Sequence, residues 1–414
     1  MSLRRRGGGT LRKRRNAGKG GPSKTNSDEA LHPPTLDDPV TMLAMTPVLN
    51  SLRHMVKTSN SADNSVENKD KDREQTPQTP RPPVTPGGKP PIEVPLQNFA
   101  RASLQKKTDG IKAEFIKITN LQPTDPTCTA LTLHPYRNRY HNNTCYDRTR
   151  VVLKYLVPSE VDYINANWVT EGPNFKLANK FICTQGPIEN TVNDFWRMVW
   201  QEKPKHIIML CKTLENGKSK CAQYWPLGIG ETKTFGTVCV THVRSITAEK
   251  EKIYDSSVFC VQVGSETHNL EHHRWNSWPD FGVPQSGIPI IRLLRHCHEP
   301  KDAPIVVHCA AGIGRTGTFM AVEIAMKMVA LRQEINIYEV VKELRNQRGG
   351  MVQTPEQYLF VHRCIFEYMN AKHIARNLVT EFNTAYLECV NQAIAEREKQ
   401  HQALKEAKKQ NSVS

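Results

Sequence analysis

Cys309 and Arg315 stand six residues apart in a glycine-rich run, Cys309-Ala310-Ala311-Gly312-Ile313-Gly314-Arg315-Thr316-Gly317. Glycines at 312 and 314 let the backbone curl with its amides turned inward, around a hollow the size of an oxyanion. A thiol in such a place is expected to ionise readily, because a free cysteine near 8.5 falls to about 3.5–7.5 at a helix N-terminus beside arginine. Arg315 offers a planar fork that grips two phosphate oxygens. A thiolate inside a phosphate cradle is a nucleophile for phosphoryl transfer. The run is not a Walker loop, since the lysine that must reach the β- and γ-phosphates is missing. The plain structural reading, an inert buried cysteine beside a turn, fits this neighbourhood poorly.

A dianionic phosphate ester also needs an acid for its leaving oxygen. Trp278-Pro279-Asp280-Phe281-Gly282-Val283-Pro284 carries one at the tip of a loop built from rigid and flexible residues. On its own Asp280 reads more simply as a turn former.

The elements around these residues set their geometry. Residues 303–308 (APIVVH) read as a short buried strand, and the glycine turn follows. Thr318 to Leu331 is a strongly apolar helix, and Ile337 to Gln347 an amphipathic one. Strand, glycine turn and helix together aim backbone N–H groups and a positive helix end at an anion.

The runs His308-Cys309-Ala310-Ala311-Gly312-Ile313-Gly314-Arg315-Thr316-Gly317 and Trp278 to Pro284 resemble the phosphate loop and the acid loop of the tyrosine-specific protein phosphatases. Further segments are similar and in the same order along the chain. They are Asn138-Arg139-Tyr140, Asp162 to Asn167 (DYINAN), Thr184 to Pro187 (TQGP), Asp194 to Met198 (DFWRM), Lys220 to Pro226 (KCAQYWP) and Gln353 to Tyr358 (QTPEQY). The likeness covers residues 97–370 and leaves out 1–95 and 371–414. It implies an α/β fold, a twisted mixed β-sheet flanked by helices, with the site at the carboxyl end of the 303–308 strand. It also implies a non-receptor type, and that no metal or other cofactor is required.

Carried over position by position, the resemblance implies these roles. Cys309 attacks phosphorus and forms a cysteinyl-phosphate; Arg315 and the backbone of Ala310, Ala311, Gly312, Ile313 and Gly314 hold the phosphate oxygens. Asp280 protonates the tyrosyl oxygen as its loop closes and then acts as base toward water. Gln353 positions that water with help from Gln357, and Thr316 donates a hydrogen bond to the Cys309 sulfur. Tyr140 stacks on the phosphotyrosine ring and makes the pocket too deep for phosphoserine. Lys220 and Glu215 match a loop that pairs with the acid loop and with Arg315. Taken singly, Tyr140 reads as core or surface, Gln353 as a helix cap and Lys220 as a solvated charge. Some positions depart from the commonest pattern. Ala310 stands where Ser is usual. Asn142 stands where many members have an Asp that accepts the peptide's N–H groups, which alters peptide preference. Arg274 replaces a His or aromatic residue near the acid loop, and Gly350 leaves an open flank. The resulting pH–rate profile is expected to be bell-shaped, and oxidants are expected to inactivate the thiolate reversibly. A catalytically dead phosphotyrosine reader would usually have lost Cys309, Asp280 or Arg315, and all three are present. A broader-specificity phosphatase would lack the Asn138-Arg139-Tyr140 segment.

The whole chain of 414 residues bears a net charge of +15 with 38% apolar residues, a fraction low enough to imply an unfolded portion. Residues 1–20 alone hold eight Lys/Arg and no acid, over half of that net charge. Residues 1–96 therefore read as a disordered basic and proline-rich arm, and 97–370 as one catalytic domain. Residues 371–414 read as a helix whose apolar stripe (Ile374, Leu378, Phe382, Tyr386, Val390, Ile394) gives way to a charged second half. The arm offers an anionic partner a basic patch, and its P-x-x-P spacings offer an SH3 domain a docking site. Thr76, Thr79 and Thr85 each precede proline, as substrates of a proline-directed kinase do. No run of about 18 apolar residues is present, and the start lacks both a signal peptide and a myristoylation glycine. Eleven cysteines, none before Cys128, show no framework spacing, so reduced thiols and a cytoplasmic or nuclear location are expected. The His272-His273 and His296-Cys297-His298 groups read as incidental, for want of a carboxylate or cysteine partner.

Overall fold

In the computed structural model, which describes residues 90–177, 179–246, 253–279, 282–299 and 302–411, the strongly apolar short runs lie in the middle of one mixed sheet. Its strands are β1 (Arg150–Val152), β2 (Tyr163–Val169), β3 (Phe181–Thr184), β4 (His206–Met209), β7 (Thr232–Phe235), β8 (Val238–Ile246), β9 (Tyr254–Val263), β10 (Glu266–Trp275) and β11 (Ile305–His308), with β5 (Leu214–Glu215) and β6 (Lys218–Ser219) forming a separate hairpin. The spatial order is β1-β2-β3-β11-β4-β10-β9-β8-β7. The pairings of β11 with β3 and β4, and of β4 with β10, are parallel; the others are antiparallel. Central parallel strands are covered on both faces, and β3, β4 and β11 are accordingly buried at every position. The long β9–β10 ladder instead alternates buried and exposed residues.

The helices are α1 (Glu93–Thr119, interrupted at Lys107), α2 (Thr129–Leu133), α3 (Val192–Glu202), α4 (Ile288–Cys297), α5 (Gly314–Ala330), α6 (Ile337–Gln347), α7 (Pro355–Ala371) and α8 (Arg376–Asn411). One continuous core joins the sheet to all of them but α2, whose Ala130 packs with Cys145 and Tyr163 in a small separate cluster. α1 begins at Glu93, four residues before the expected change of texture, and it buries Pro95 and Leu96. A proline in a first helical turn costs nothing, because the missing N–H would have no helical partner there. The remainder of the basic and proline-rich arm, with Thr76, Thr79 and Thr85, lies outside the described residues.

The helix after the glycine turn starts at Gly314, four residues earlier than the expected Thr318. Two glycines in its first turn disguise it in the sequence. A Cβ on Gly317 would meet Val352 N at 2.2 Å, so glycine there serves close packing rather than a break. Residues 303 and 304 stay outside the strand, where Pro304 has no N–H to give a ladder. In α8, Phe382 stacks on Phe366 of α7 at 3.8 Å, and Arg363 lies over the Tyr386 ring at 4.6 Å. Val379, Phe382, Tyr386, Leu387, Cys389 and Val390 are buried.

Candidate active site

Cys309 follows the last residue of β11, and the chain turns at 310–313 before α5 begins. The side chain is only 3% exposed, and its Sγ accepts a hydrogen bond from the Gly312 amide at 3.2 Å. Gly312 has φ +71°, and a Cβ there would strike the Thr184 carbonyl at 2.1 Å. No other residue fits both conditions.

Every carbonyl from 309 to 314 meets a donor. Cys309 O contacts His308 Nδ1 at 3.2 Å, and Ala310 O accepts from the Gly186 amide at 2.9 Å. Ala311 O accepts from Asn143 Nδ2 and, at 3.3 Å, from Arg348 Nη2. Gly312 O accepts from Arg348 Nε at 2.8 Å. Ile313 O accepts from the amides of Gly317 and Val352, and Gly314 O from the Thr318 hydroxyl. In a planar trans peptide the next N–H points opposite to its carbonyl. Carbonyls drawn onto these surrounding groups therefore turn the amides of the loop the other way, as Gly312 N–H on the sulfur illustrates.

Arg348, wholly buried, is the hub of this arrangement: it also donates to Asn167 Oδ1 at 2.6 Å and Asn165 Oδ1 at 2.8 Å. Asn165 and Asn167 lie in β2, so the DYINAN segment reaches the loop through Arg348. Sequence reasoning passed over both Arg348 and Asn143. A lone arginine past the end of α6 carries no local signal.

Arg315 is 2% exposed and gives Glu215 a two-pronged grip, Nη1 to Oε1 at 2.7 Å and Nη2 to Oε2 at 3.0 Å. It also donates to the Trp278 carbonyl at 3.1 Å, which places the first stem of the 278–284 loop against the start of α5. Asp280 lies outside the described residues. Across that gap Trp278 Nε1 donates to Gly282 O at 3.2 Å. The second stem is held by Glu367 of α7, whose Oε2 accepts from Gly287 N at 2.8 Å and Ser286 Oγ at 2.6 Å. Glu367 is a further residue without a local sequence signal.

Gln353 and Gln357 sit at the start of α7 beside Gly314: a Cβ on that glycine would be 2.8 Å from Gln353 Oε1 and 3.2 Å from Gln357 Nε2. Gln357 Oε1 accepts from the Gln353 backbone N–H at 2.9 Å, while its Nε2 is buried without a partner. The Thr316 hydroxyl does not bond the Cys309 sulfur here. It is buried without a hydrogen-bond partner, and the tight 309–312 turn gives the sulfur the Gly312 amide instead.

Tyr140 is half-buried and Asn142 exposed. Both belong to a turn closed by Asn143 N–H on Tyr140 O at 3.2 Å, and Asn143 ties that turn to Ala311. Lys220 is half-buried just after the β5–β6 hairpin, its N–H on Thr213 O at 2.8 Å. The carbonyls of Lys220 and Cys309 flank Gly186, whose Cβ would lie 2.9 and 2.7 Å from them.

Behind Cys309 a chain of hydrogen bonds runs in one direction. Arg274 Nη1 reaches His272 Nδ1 at 3.4 Å, and Tyr224 Oη lies 2.8 Å from His272 Nε2 and 2.7 Å from His308 Nε2. Burial first, then the Arg274 guanidinium, holds His272 well below the usual histidine range, so it is neutral. Since Arg274 can only donate, His272 carries its proton on Nε2. The Tyr224 O–H then points to His308 Nε2, and His308 Nδ1–H to Cys309 O. Arg274, an unusual residue in the sequence, is thus the first donor in a chain that ends on the Cys309 carbonyl.

The sequence profile of the family described as Protein-tyrosine phosphatase matches residues 134–367. Receptor-type tyrosine-protein phosphatase eta of Gallus gallus is 37% identical over 302 residues, covering 70% of this chain and 21% of the relative. The Homo sapiens eta protein is 38% identical over 300 residues, 70% of this chain and 22% of the relative. Receptor-type tyrosine-protein phosphatase F of Mus musculus is 34% identical over 307 residues, covering 71% and 16%. The chain spans about a fifth of the length of the eta relatives. Their names are of receptor type; among the described residues here, no helix is long and apolar enough to cross a membrane.

Proposed function

Because the chain belongs to the protein-tyrosine phosphatase family, we propose that it hydrolyses phosphotyrosine in proteins through a cysteinyl-phosphate on Cys309. The observation that carries this reading is the outward pull on every carbonyl from 309 to 314, which leaves inward amides around the sulfur. Such amides, with Arg315, stabilise the equatorial oxygens of a trigonal-bipyramidal phosphoryl group without reorganising.

In the first step Sγ of thiolate Cys309 forms a bond to phosphorus, the bond to the tyrosyl oxygen breaks, and Asp280 gives that oxygen its proton. In the second step a water placed by Gln353 attacks phosphorus, Asp280 takes the water's proton, and the P–S bond breaks to return phosphate and thiolate. Gln357 supports the role of Gln353 by holding its backbone N–H. Glu215 keeps the Arg315 fork in one plane beside the loop. Tyr140 and Asn142 serve the ring and backbone of the substrate, and Lys220 the acid loop. Thr316, with its free hydroxyl, meets the sulfur as charge returns to it in the second step.

The test is turnover of a phosphotyrosine peptide by the full chain beside Cys309→Ser and Asp280→Ala. Abolished turnover in the first and a strong loss in the second are expected. Binding without turnover in the unsubstituted chain would make the protein a phosphotyrosine reader. Equal turnover of a phosphoserine peptide would overturn the specificity.

The finer reading is of a non-receptor enzyme acting in cytoplasm or nucleus, with a catalytic unit over 97–370. Its support is the basic 1–20 segment and eleven free cysteines. On this reading the arm meets an anionic surface, an SH3 domain or a proline-directed kinase. Fractionation of the tagged full chain, compared with a chain lacking residues 1–20, tests it.

A further inference from the structure

We propose that His206, Glu271, His273 and His296 form a four-coordinate zinc site on the sheet, at the opposite strand ends from Cys309. The four donors come from three elements. His206 opens β4, Glu271 and His273 lie two apart on β10 and share a face, and His296 is in the last turn of α4. Parallel register sets Glu271 directly beside His206. Register also pairs His206 with Ile305 at the start of β11, whereas Cys309 follows its end.

Three of the donor–donor separations lie close to the edge of a tetrahedron, and the fourth donor, on exposed His296, is within reach of it. A zinc ion with ligands at about 2.0–2.2 Å separates them by roughly 3.3–3.5 Å. His206 Nδ1 lies 3.2 Å from His273 Nε2. A single oxygen, Glu271 Oε2, is 3.6 Å from His273 Nε2, 3.8 Å from His206 Nδ1 and 2.6 Å from His296 Nε2. All four atoms fall within 4.8 Å of one another.

The backs of the two buried rings supply a second, independent observation. His206 Nε2 faces the Glu299 carbonyl at 3.2 Å, a group that only accepts. That bond puts the proton on Nε2 and leaves the Nδ1 lone pair aimed at the centre of the cluster. His273 Nδ1 lies 2.7 Å from Ser256 Oγ, which can accept its proton and free Nε2. Ring nitrogens held from behind by a carbonyl and a hydroxyl are the usual arrangement of metal-bound histidines. An ion also has a way in: His296 is half exposed, and a cavity of about 450 Å³ lined by His206 and Glu271 opens beside it.

The histidine pairs look incidental in sequence because the carboxylate and the third ring reach them only through the fold. Four protein ligands leave no open position, so the ion is structural. It would tie β10, which leads into the acid loop, to α4, which leaves it.

The test uses the full chain carrying Cys309→Ser, so that the nucleophile does not compete for metal. Zinc is titrated calorimetrically, and Co²⁺ reports the ligand field. One equivalent of zinc is expected to bind and raise the thermal midpoint, and Co²⁺ to show tetrahedral d–d bands without a sulfur charge-transfer band. His296→Ala, at a half-exposed position, and Glu271→Gln should each weaken zinc binding at least about tenfold. Their thermal midpoints in chelator show that both variants fold. Absence of stoichiometric binding, affinity unchanged in both variants, or a sulfur band on bound Co²⁺ would each overturn the proposal.

Discussion

Arg348 Nη2 lies 3.3 Å from the carbonyl of Ala311, and through that bond a residue 37 positions away helps fix the direction of the Gly312 amide, which meets the Cys309 sulfur. The guanidinium spreads over four acceptors: Gly312 O, Ala311 O, Asn167 Oδ1 and Asn165 Oδ1. Arg348→Lys keeps the charge and loses the fork. Unpaired buried acceptors cost about 1–3 kcal/mol each, so a stability loss of about 3 kcal/mol is expected from urea unfolding. Turnover should suffer more, with kcat/KM on a phosphotyrosine peptide falling by roughly 10²-fold, as when one oxyanion donor is lost. A variant of unchanged kcat/KM would show that the loop holds its shape without Arg348.

Glu215→Gln tests the fork on Arg315. An amide presents one acceptor and one donor where the guanidinium needs two acceptors. Charge-assisted hydrogen bonds of about 1.5–3 kcal/mol correspond to a 10- to 100-fold fall in kcat/KM. Inorganic phosphate should also inhibit more weakly, and steady-state kinetics with phosphate as inhibitor measures both.

Gly312→Ala and Gly264→Ala separate backbone strain from collision. Both glycines have positive φ, +71° and +58°, but a Cβ on Gly264 has nothing within 4 Å, whereas on Gly312 it enters the Thr184 backbone. Gly264→Ala is expected to cost about 1–2 kcal/mol and leave turnover intact. Gly312→Ala should cost more and abolish turnover. Thermal unfolding and peptide turnover of the two variants make the comparison.

His362 predicts a pH dependence of stability. Burial, between Phe99 at 5.4 Å and Tyr358 at 5.2 Å, lowers it from 6.5 to about 4. Below pH 6.5 the unfolded imidazole takes up a proton that the folded one refuses. Stability present at neutral pH is therefore lost as pH falls from 6.5 toward 4, by up to about 3 kcal/mol. Denaturant unfolding of His362→Gln beside the unsubstituted chain at pH 7 and pH 5 should show a smaller loss in the variant. An equal loss would place the acid sensitivity elsewhere.

Within the ten residues from His308 to Gly317, the sequence by itself determined the site's core: strand, turn and helix are local. Their spacing places a thiol and a guanidinium on either side of one glycine turn, whatever the distant chain does. The amphipathic helix Ile337–Gln347 was equally legible, since its periodicity is a local signal. The start of α5 was not, because Gly314 and Gly317 look like helix breakers until the close approach of Val352 explains them. What only the tertiary structure decided is the set of groups that orient this loop. Asn143, Arg348 and Tyr224 come from separate parts of the chain, and their hydrogen bonds to Ala311, Gly312 and His308 leave no periodicity or composition to read. The zinc-site residues follow the same rule. Glu271 and His273 lie two apart in the chain, but His206 joins them only because β4 pairs in parallel with β10, and His296 only because α4 packs beside that edge. Chemistry carried by contiguous residues is written in the sequence; chemistry assembled across strands depends on register, which the packed sheet alone sets.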